Sequence, residues 1–260
     1  MDLRIMHLCP SVLNVAGDGG NVRAVDQRAR WRGIAVEVRT ADPGEHIDGR
    51  WPDLTIIGGG QDTEMRVAAE GLRSQAPALR ASIEAGGVIF AVCAGLQLLG
   101  HRYVPLAGDP IDGIGLLDLE TRGHTERFMQ HAACRVEMGG ETSTVVGFES
   151  HSGRTELGSD ARPFGMVELG AGNNGSDGTE GARPADGRPI LATYLHGPVL
   201  PKNPWLTDQL LRLALARRHG TVQLEPLPDL TETRAHDEAL AAAIRARGRR
   251  TAIPVARLGR

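Results

Sequence analysis

The chain has 260 residues and a formal net charge of −3, from 29 basic and 32 acidic side chains. Hydrophobic residues make up 41% and charged residues 23%, a composition that is typical of a globular protein and excludes bulk disorder. The length favours one α/β domain with additions, and the interspersed charges of both signs argue against a nucleic-acid-binding surface.

The cysteine content and the apolar runs indicate a cytoplasmic protein. Three cysteines, Cys9, Cys93 and Cys134, stand at scattered positions, which argues against a disulfide framework and for a reducing compartment. The longest apolar run, residues 88–99, is too short to span a bilayer. The first residues also lack the apolar core of a signal peptide.

Strands and helices are predicted to alternate in the first part of the chain. Short apolar runs predict strands at 3–8, 34–38, 53–57 and 88–92. Apolar residues at helical spacing predict helices at 22–33, 64–73 and 78–85. Because strands and helices alternate, we expect a parallel sheet with right-handed crossovers.

After Gly113 the pattern changes to strands without intervening helices. Strands are expected at 114–119, 132–138 and 144–149. They are predicted to form a small antiparallel extension of the main sheet. Residues 170–188 carry six glycines, and this segment is interpreted as a long hairpin loop that is mobile or ordered by a partner.

The last part of the chain returns to the strand-and-helix pattern. A strand at 190–195 is predicted to end at His196. Helices are predicted at 204–218 and 232–247. We therefore divide the chain into a domain at 1–220 and a C-terminal helical extension at 221–260. The arginine-rich tail of that extension, from residue 245 onward, is expected to be a solvated terminus; docking to an acidic partner surface is the alternative.

The strongest local signal is Cys93, which stands where the apolar strand at 88–92 meets a predicted helix. The small residues Ala91 and Gly95 flank it two positions away on either side, as a sharp strand-to-helix turn requires. A cysteine in such a nucleophile elbow lies at the positive end of a helix dipole, which favours the thiolate. We predict that Cys93 is a catalytic nucleophile; the alternative is a buried structural cysteine.

Two further signals lie at the ends of predicted strands. The glycines 58–60 follow the strand at 53–57, and their backbone N–H groups are suited to an oxyanion hole beside a cysteine nucleophile. His196 ends the strand at 190–195, at the sheet edge where α/β proteins place their sites. Taken alone, the glycines are equally consistent with a plain turn and the histidine with a surface position.

Motifs for metal and nucleotide chemistry do not occur in the sequence. It contains no C-x-x-C and no H-E-x-x-H pattern, so we expect no metal site. It also contains no phosphate-binding P-loop, and residues 17–20 do not fit the G-x-G-x-x-G dinucleotide fingerprint. We therefore expect no cofactor in this chain.

Six segments carry a resemblance to a known family. They are Leu13–Asn21, Gly58–Asp62, Cys93–Gly100, Gly147–Thr155, Gly172–Gly175 and Tyr194–Pro204. In this order they resemble the class I glutamine amidotransferases, and within them the cobyric-acid-synthase-like branch. The resemblance covers residues 3 to about 220. It implies an α/β fold: a single amidotransferase domain with a mostly parallel central sheet flanked by helices and a small antiparallel extension.

The resemblance also implies the catalytic groups. Cys93 corresponds to the family's nucleophile, and His196 to its general base and acid. The backbone N–H groups of Gly60 and Ala94 correspond to the donors of the oxyanion hole.

Two substrate-binding residues follow from the same resemblance. Gln97 matches the glutamine of the family's elbow and is expected to shape the glutamine pocket. Arg127 matches an arginine that this branch uses near its substrate. An arginine suits this role because a guanidinium grips the α-carboxylate of glutamine with two hydrogen bonds. With 28 arginines in the chain, an ordinary surface arginine is the alternative.

The sequence departs from the family pattern after the catalytic histidine. Triad enzymes carry an acid two residues later, whereas here His196 is followed by Gly197 and Pro198. Either Cys93 and His196 act as a dyad, or an acid comes from elsewhere in the chain or from a partner. Glu149 is the first internal candidate.

The implied activity is the hydrolysis of L-glutamine to glutamate and ammonia. Within the branch the chain is most similar to glutaminase subunits that pair with an ATP-dependent, Mur-ligase-like synthetase in a heterodimer. That partner, which would hold ATP and magnesium, amidates the D-glutamate of lipid II, a peptidoglycan precursor. The alternatives are a cobalamin-type amidotransferase component on the same frame and a non-catalytic interaction subunit.

Overall fold

The structure is a computed structural model that describes residues 1–247 and the backbone of 252–254. Its strands are β1 (Asp2–Leu8), β2 (Ala35–Ala41), β3 (Leu54–Ile57), β4 (Val88–Val92), β5 (Arg102–Val104), β6 (Ile111–Asp112), β7 (Leu119–Met138), β8 (Glu141–Leu157), β9 (Ala161–Arg162), β10 (Gly165–Leu169), β11 (Thr179–Glu180), β12 (Arg183–Pro184), β13 (Ile190–Thr193), β14 (Leu195–His196) and β15 (Ala252–Pro254). Its helices are α1 (Gly19–Trp31), α2 (Asp62–Glu84), α3 (Ala94–Leu99), α4 (Pro204–His219) and α5 (Leu230–Ala246), with a 3₁₀ turn at Leu200–Lys202.

A five-stranded parallel sheet forms the centre of the molecule. Its strand order is β13-β4-β3-β1-β2, and every neighbouring pair is parallel. All residues of β3 and β4 are buried, because packed elements cover both faces of these strands. The predicted α/β fold with a parallel central sheet is therefore confirmed.

A second, mixed sheet is built on the long hairpin of β7 and β8. The hairpin turns at Gly139 and Gly140, whose φ angles of 63° and 78° suit glycine. β10 and β14 pair antiparallel with β7 and β8 respectively, while β5 runs parallel to β7. The predicted antiparallel extension is confirmed, although it is larger than expected.

One predicted strand of this extension is wrong. Residues 114–118 form no strand; the chain lies here against the end of α3. The N–H groups of Ile114, Leu116 and Leu117 donate to the carbonyls of Leu98 and Leu99. These carbonyls have no partner inside the helix, so the segment is ordered by completing a helix end rather than by strand pairing.

The two helices predicted at 64–73 and 78–85 are one helix, α2. Pro77 lies inside it. A proline removes one N–H donor and crowds the preceding turn, which normally ends a helix. Here the buried residues Leu72, Gln75 and Leu79 lie on both sides of the proline, and their packing maintains one continuous helix.

The strand predicted at 190–195 is two strands in different sheets. β13 ends at Thr193 in the parallel sheet, and β14 begins at Leu195 in the mixed sheet. Between them, the N–H of Tyr194 donates to the buried carboxylate of Glu180 at 2.7 Å. His196 therefore lies at the junction of the two sheets.

The glycine-rich segment 170–188 is packed, and the expectation of a mobile loop does not fit its contacts. It contains β11 and β12, and Ala171, Asn173 and Ala182 are buried. The Asn173 side chain donates to the carbonyl of Gly181 at 2.9 Å. The N–H groups of Ala171 and Gly172 donate to the carboxylate of Glu149, which ties the start of the segment to β8.

The residues after α4 also contact the main body. The buried guanidinium of Arg28 in α1 forms ion pairs with Asp208 in α4 and with Asp229, just before α5. The backbone of β15 pairs with β7 at 126–128. The division at residue 220 stays a prediction, and most of the arginine-rich tail lies outside the described residues. Within the described part of the chain, no helix is both long and apolar enough to cross a bilayer.

Candidate active site

Cys93 occupies a strained turn between β4 and α3. Its φ of 52° and ψ of −102° are unusual for a residue with a side chain. The N–H of Cys93 donates to the carbonyl of Thr193 at 2.8 Å, and its carbonyl accepts from the N–H of Gln97 at 3.0 Å. A β-carbon on Gly95 would lie only 3.0 Å from the carbonyl oxygen of Ile57, which explains the small residue there. This is the geometry of a nucleophile elbow.

His196 lies against Cys93 at the loop that follows β3. A β-carbon added to Gly59 would lie 2.7 Å from Cε1 of His196 and 3.4 Å from Cβ of Cys93. Cys93 and His196 are 7% and 6% exposed, so both are largely shielded from bulk water. The two predicted catalytic residues, which are 103 positions apart in the sequence, are therefore neighbours at one edge of the parallel sheet.

The environment of His196 favours its charged form. Burial acts to lower the pKa of this imidazole, but the negative charge of a Cys93 thiolate and the carboxylate of Asp18 outweigh burial and raise the pKa to about 10. The imidazolium can therefore serve as a proton donor beside Cys93.

The other two cysteines lie in environments that disfavour a thiolate. Burial, followed by the charge of Asp42, raises the pKa of Cys9 to about 12. Burial and the charge of Glu180 raise the pKa of Cys134 well above its ordinary value. Cys9 also has a positive φ of 55°, so the strained backbone alone does not distinguish a nucleophile. The neighbouring imidazole of His196 is what distinguishes Cys93 from Cys9.

The predicted oxyanion donors lie on the two loops next to Cys93. Gly60 ends the glycine triplet after β3, and Ala94 is the first residue of α3. Neither backbone N–H donates to an acceptor within the part of the chain that the structure describes. The assignment of the oxyanion hole to these two groups stays a prediction.

Asp18 is a residue of the site that the sequence analysis missed. It stands immediately before α1 and is completely buried. Its Oδ2 accepts from the N–H of Gly59 at 2.8 Å, and its Oδ1 lies 3.9 Å from Nδ1 of His196. A signal was present: an acid in a glycine-rich turn after the first strand belongs to the same sheet edge as Cys93.

Glu149, the internal acid suggested by the sequence, does not orient His196. It is buried, and both of its carboxylate oxygens accept from the N–H of Ala171 at 3.0 Å. One also accepts from the N–H of Gly172 at 2.7 Å, and the other from Nε2 of Gln130 at 3.0 Å. These donors hold the carboxylate against the glycine-rich segment, so its role is to anchor that segment.

Arg127 lies in a bulge of β7, where the pairing with β8 is interrupted between Gly123 and Phe128. Its Nη2 donates to the carbonyl of Ser150 at 2.6 Å. The side chain is half-buried, and its Nη1 donates to nothing within the described residues. Nη2 of the guanidinium is thus fixed by Ser150, and Nη1 remains available to bind a carboxylate.

The residue after Arg127 begins a column of aromatic rings. Phe128 meets the ring of His151 edge-on, with 5.5 Å between centroids, and His151 stacks on Tyr194 at 3.8 Å. The Tyr194 hydroxyl accepts from Nε2 of Gln97 at 3.0 Å. The side chain of Gln97 is therefore held by Tyr194. The roles of Gln97 and Arg127 in substrate binding stay predictions.

Comparison with known proteins agrees with this fold. Residues 4–204 match the CobB/CobQ-like glutamine amidotransferase domain. The chain belongs to this family of glutamine amidotransferases. A crystal structure of a glutamine amidotransferase with 20% sequence identity has a similar fold, with a TM-score of 0.53 over 80% of this chain and 98% of that one.

Similar proteins in this family include subunits of a lipid II isoglutaminyl synthase. The chain is 38% identical over 217 residues to subunit GatD of the glutamine-hydrolysing lipid II isoglutaminyl synthase of Staphylococcus aureus, covering 84% of this chain and 86% of that protein. It is 33% identical over 238 residues to GatD of Streptococcus pneumoniae, covering 91% and 90%. It is also 35% identical to the cobyric acid synthase of Cereibacter sphaeroides, but over only 32% of that protein.

Proposed function

We propose that this protein hydrolyses L-glutamine to glutamate and ammonia as the glutaminase subunit of a lipid II isoglutaminyl synthase. The observation that carries the proposal is Cys93 in a strained elbow with His196 buried against it. This pair occurs in a chain that covers 86% and 90% of its two GatD relatives.

The first half of the reaction forms a thioester. The Cys93 thiolate attacks the side-chain carbonyl carbon of glutamine, and the carbonyl electron pair moves onto oxygen. Backbone N–H groups of Gly60 and Ala94 would stabilise this oxyanion. When the intermediate collapses, the carbon–nitrogen bond breaks and His196 gives its proton to the leaving ammonia.

The second half restores the enzyme. His196, now neutral, takes a proton from water, and the resulting hydroxide attacks the γ-glutamyl thioester. The carbon–sulfur bond breaks, glutamate leaves, and Cys93 returns as a thiolate beside the imidazolium. The balance is one glutamine and one water consumed, with one glutamate and one ammonia produced.

The ammonia serves a second active site on a partner chain. A carboxylate must be activated before ammonia can displace an oxygen from it, and ATP with magnesium is the usual means. We assign this step to a Mur-ligase-like synthetase that amidates the D-glutamate of lipid II. The GatD relatives are covered almost end to end, whereas the cobyric acid synthase relative is covered over 32% of its length, which favours the cell-wall substrate.

The test is glutamate release from L-glutamine by the full chain, with and without the synthetase, together with labelling by the glutamine analogue 6-diazo-5-oxonorleucine. We expect one label per chain on Cys93, glutamate release, and amidated lipid II when the synthetase and ATP are added. Absence of both label and glutamate in the presence of the synthetase would exclude a glutaminase. Glutamate release without lipid II amidation would show that the ammonia is used to amidate a different acceptor molecule.

Replacing Arg127 by alanine should raise the KM for glutamine by about 10- to 100-fold while kcat changes little. A charge-assisted contact to a carboxylate is worth about 1.5–3 kcal/mol, and this contact is made in ground state and transition state alike. Steady-state glutaminase kinetics measure the effect. Arg135 in the same strand is exposed, and its side chain lies 4.0 Å from Glu168. The Arg135→Ala variant is thus the matched control and should keep the wild-type KM. Equal KM values for both variants would make Arg127 an ordinary surface residue.

A further inference from the structure

We propose that Asp18 is the positioning residue of the site: it holds Nδ1 of His196 and, through its second oxygen, the backbone of Gly59 in the loop that bears Gly60. The inference rests on the proposed glutaminase function. It supplies, within this chain, the acid that is missing after the histidine.

The contacts of Asp18 point to this role. The carboxylate is completely buried, and Oδ2 accepts from the N–H of Gly59 at 2.8 Å. Among the described residues, neither Oδ1 of Asp18 nor Nδ1 of His196 has a hydrogen-bond partner, and the two atoms lie 3.9 Å apart. A buried carboxylate with one oxygen unpaired is costly, so the nearest positive group is its natural partner.

His196 is the group that can supply this positive charge. His7 of β1 also faces Asp18, but burial lowers the pKa of His7 against the opposing charges of Asp18 and Asp42, so its ring is neutral. His151 faces His196 from β8, and burial lowers its pKa to about 3. Cys93 faces His196 from the elbow. The imidazolium of His196 thus lies between the carboxylate of Asp18 and the side chain of Cys93. The neutral ring of His151 lies beside it.

The separation of 3.9 Å is within ion-pair range but too long for a hydrogen bond. Catalytic contacts are often loose in the absence of substrate and shorten when it binds. A movement of about 1 Å would close this one, because a nitrogen–oxygen hydrogen bond spans about 2.9 Å.

Such a contact would determine which nitrogen of His196 meets the nucleophile. With Nδ1 held by Asp18, Nε2 is left to face Cys93. A carboxylate at Nδ1 favours a proton on that nitrogen in the neutral ring, and it compensates the charge of the imidazolium. Because Oδ2 of the same carboxylate holds Gly59, one residue aligns the proton donor and the oxyanion loop.

The decisive variant is Asp18→Asn. An asparagine side chain can still accept from the N–H of Gly59 through its Oδ1, so the turn is kept. Its amide nitrogen then faces Nδ1 of His196, which removes the negative charge and favours the wrong tautomer. We expect the pKa of His196 to fall by at least about one unit. The measurement is an NMR titration of the full chain with ¹³C-labelled histidine, in which His196→Gln identifies the signal.

Kinetics provide the second readout. Loss of an orienting acid affects the transition state more than substrate binding. We therefore expect Asp18→Asn to lower kcat for glutamine hydrolysis about 100-fold, with KM within about twofold of wild type. Asn14→Ala is the matched control, because Asn14 is exposed and its Oδ1 accepts from the N–H of Gly19 in the same turn at 2.8 Å. It loosens the turn without removing charge, and should leave the pKa of His196 unchanged.

Three outcomes would overturn the inference: an unchanged pKa of His196 in folded Asp18→Asn, an equal pKa shift in Asn14→Ala, or an unchanged kcat in an active enzyme. If Asp18→Asn fails to fold, the test is made on the wild-type protein. The ¹⁵N chemical shifts of the His196 ring, measured at a pH above its pKa, show which nitrogen carries the proton. A bare Nδ1 there contradicts a contact with Asp18. The NMR experiments need no turnover, so a failure of the proposed glutaminase function would be recognised separately.

Discussion

Replacing Cys93 by serine is expected to reduce glutamine hydrolysis by at least about 10⁴-fold while the protein stays folded. Removing a covalent nucleophile from a hydrolase typically costs this much or more. A serine hydroxyl is close in size to the thiol, so the strained turn between β4 and α3 can be kept. It does not ionise near neutral pH, however, so it is a much weaker nucleophile than a thiolate. The measurement is glutamate release, with thermal unfolding as the check on folding.

Cys9→Ser and Cys134→Ser are the matched controls. Both cysteines are buried, and burial is the first cause of the raised pKa of each thiol, so neither is available as a thiolate. We expect both variants to retain glutaminase activity and to be labelled by 6-diazo-5-oxonorleucine, with small losses of stability from a buried hydroxyl. Substantial ammonia release by Cys93→Ser would rule out Cys93 as the nucleophile.

Replacing Gly59 by alanine should lower kcat by about 100-fold or more, by displacing the imidazole of His196. The added β-carbon would lie 2.7 Å from Cε1 of the ring, closer than carbon atoms approach in proteins. Gly59 does not have a positive φ, so alanine meets no backbone strain there, and the collision with His196 is the main effect. A displacement of about 1 Å in a catalytic group can cost two orders of magnitude in rate.

Gly19→Ala tests whether a methyl group in this region is harmful by itself. A β-carbon on Gly19 would make ordinary contacts, 3.6 Å from Oδ1 of Asn14 and 3.7 Å from Cε1 of His7. Since Gly19 begins α1, alanine there also favours the helix. We expect Gly19→Ala to have near-normal kcat. Similar losses in both variants would show that the loops, and not the position of His196, limit the rate.

The parallel sheet and the nucleophile elbow could be predicted from the sequence. Both follow from local patterns: the apolar run at 88–92 is a strand buried on both faces, and the small residues around Cys93 allow a sharp turn. Parallel strands that alternate with helices bring their carboxyl ends to one edge. This geometry is why the sequence alone predicts one site for Cys93, the glycines 58–60 and His196.

Only the folded structure shows which acid lies next to His196. Asp18 and Glu149 are both buried carboxylates, and the position of Asp18 after the first strand indicates its sheet edge but not that it faces the imidazole. The backbone N–H groups of the glycine-rich segment hold Glu149, whereas Asp18 keeps one oxygen toward the imidazole. Such partners come from positions 178 residues apart in the chain, as Asp18 and His196 do, and only packing brings them together.

The same physical reason explains the incorrect element boundaries. Pro77 breaks the local rule for a helix, but buried neighbours on both sides hold α2 together. The strand predicted up to His196 is interrupted at Tyr194, whose N–H is taken by the carboxylate of Glu180. In both cases a contact between distant residues outweighs the local preference of the chain, and only the folded structure contains that contact.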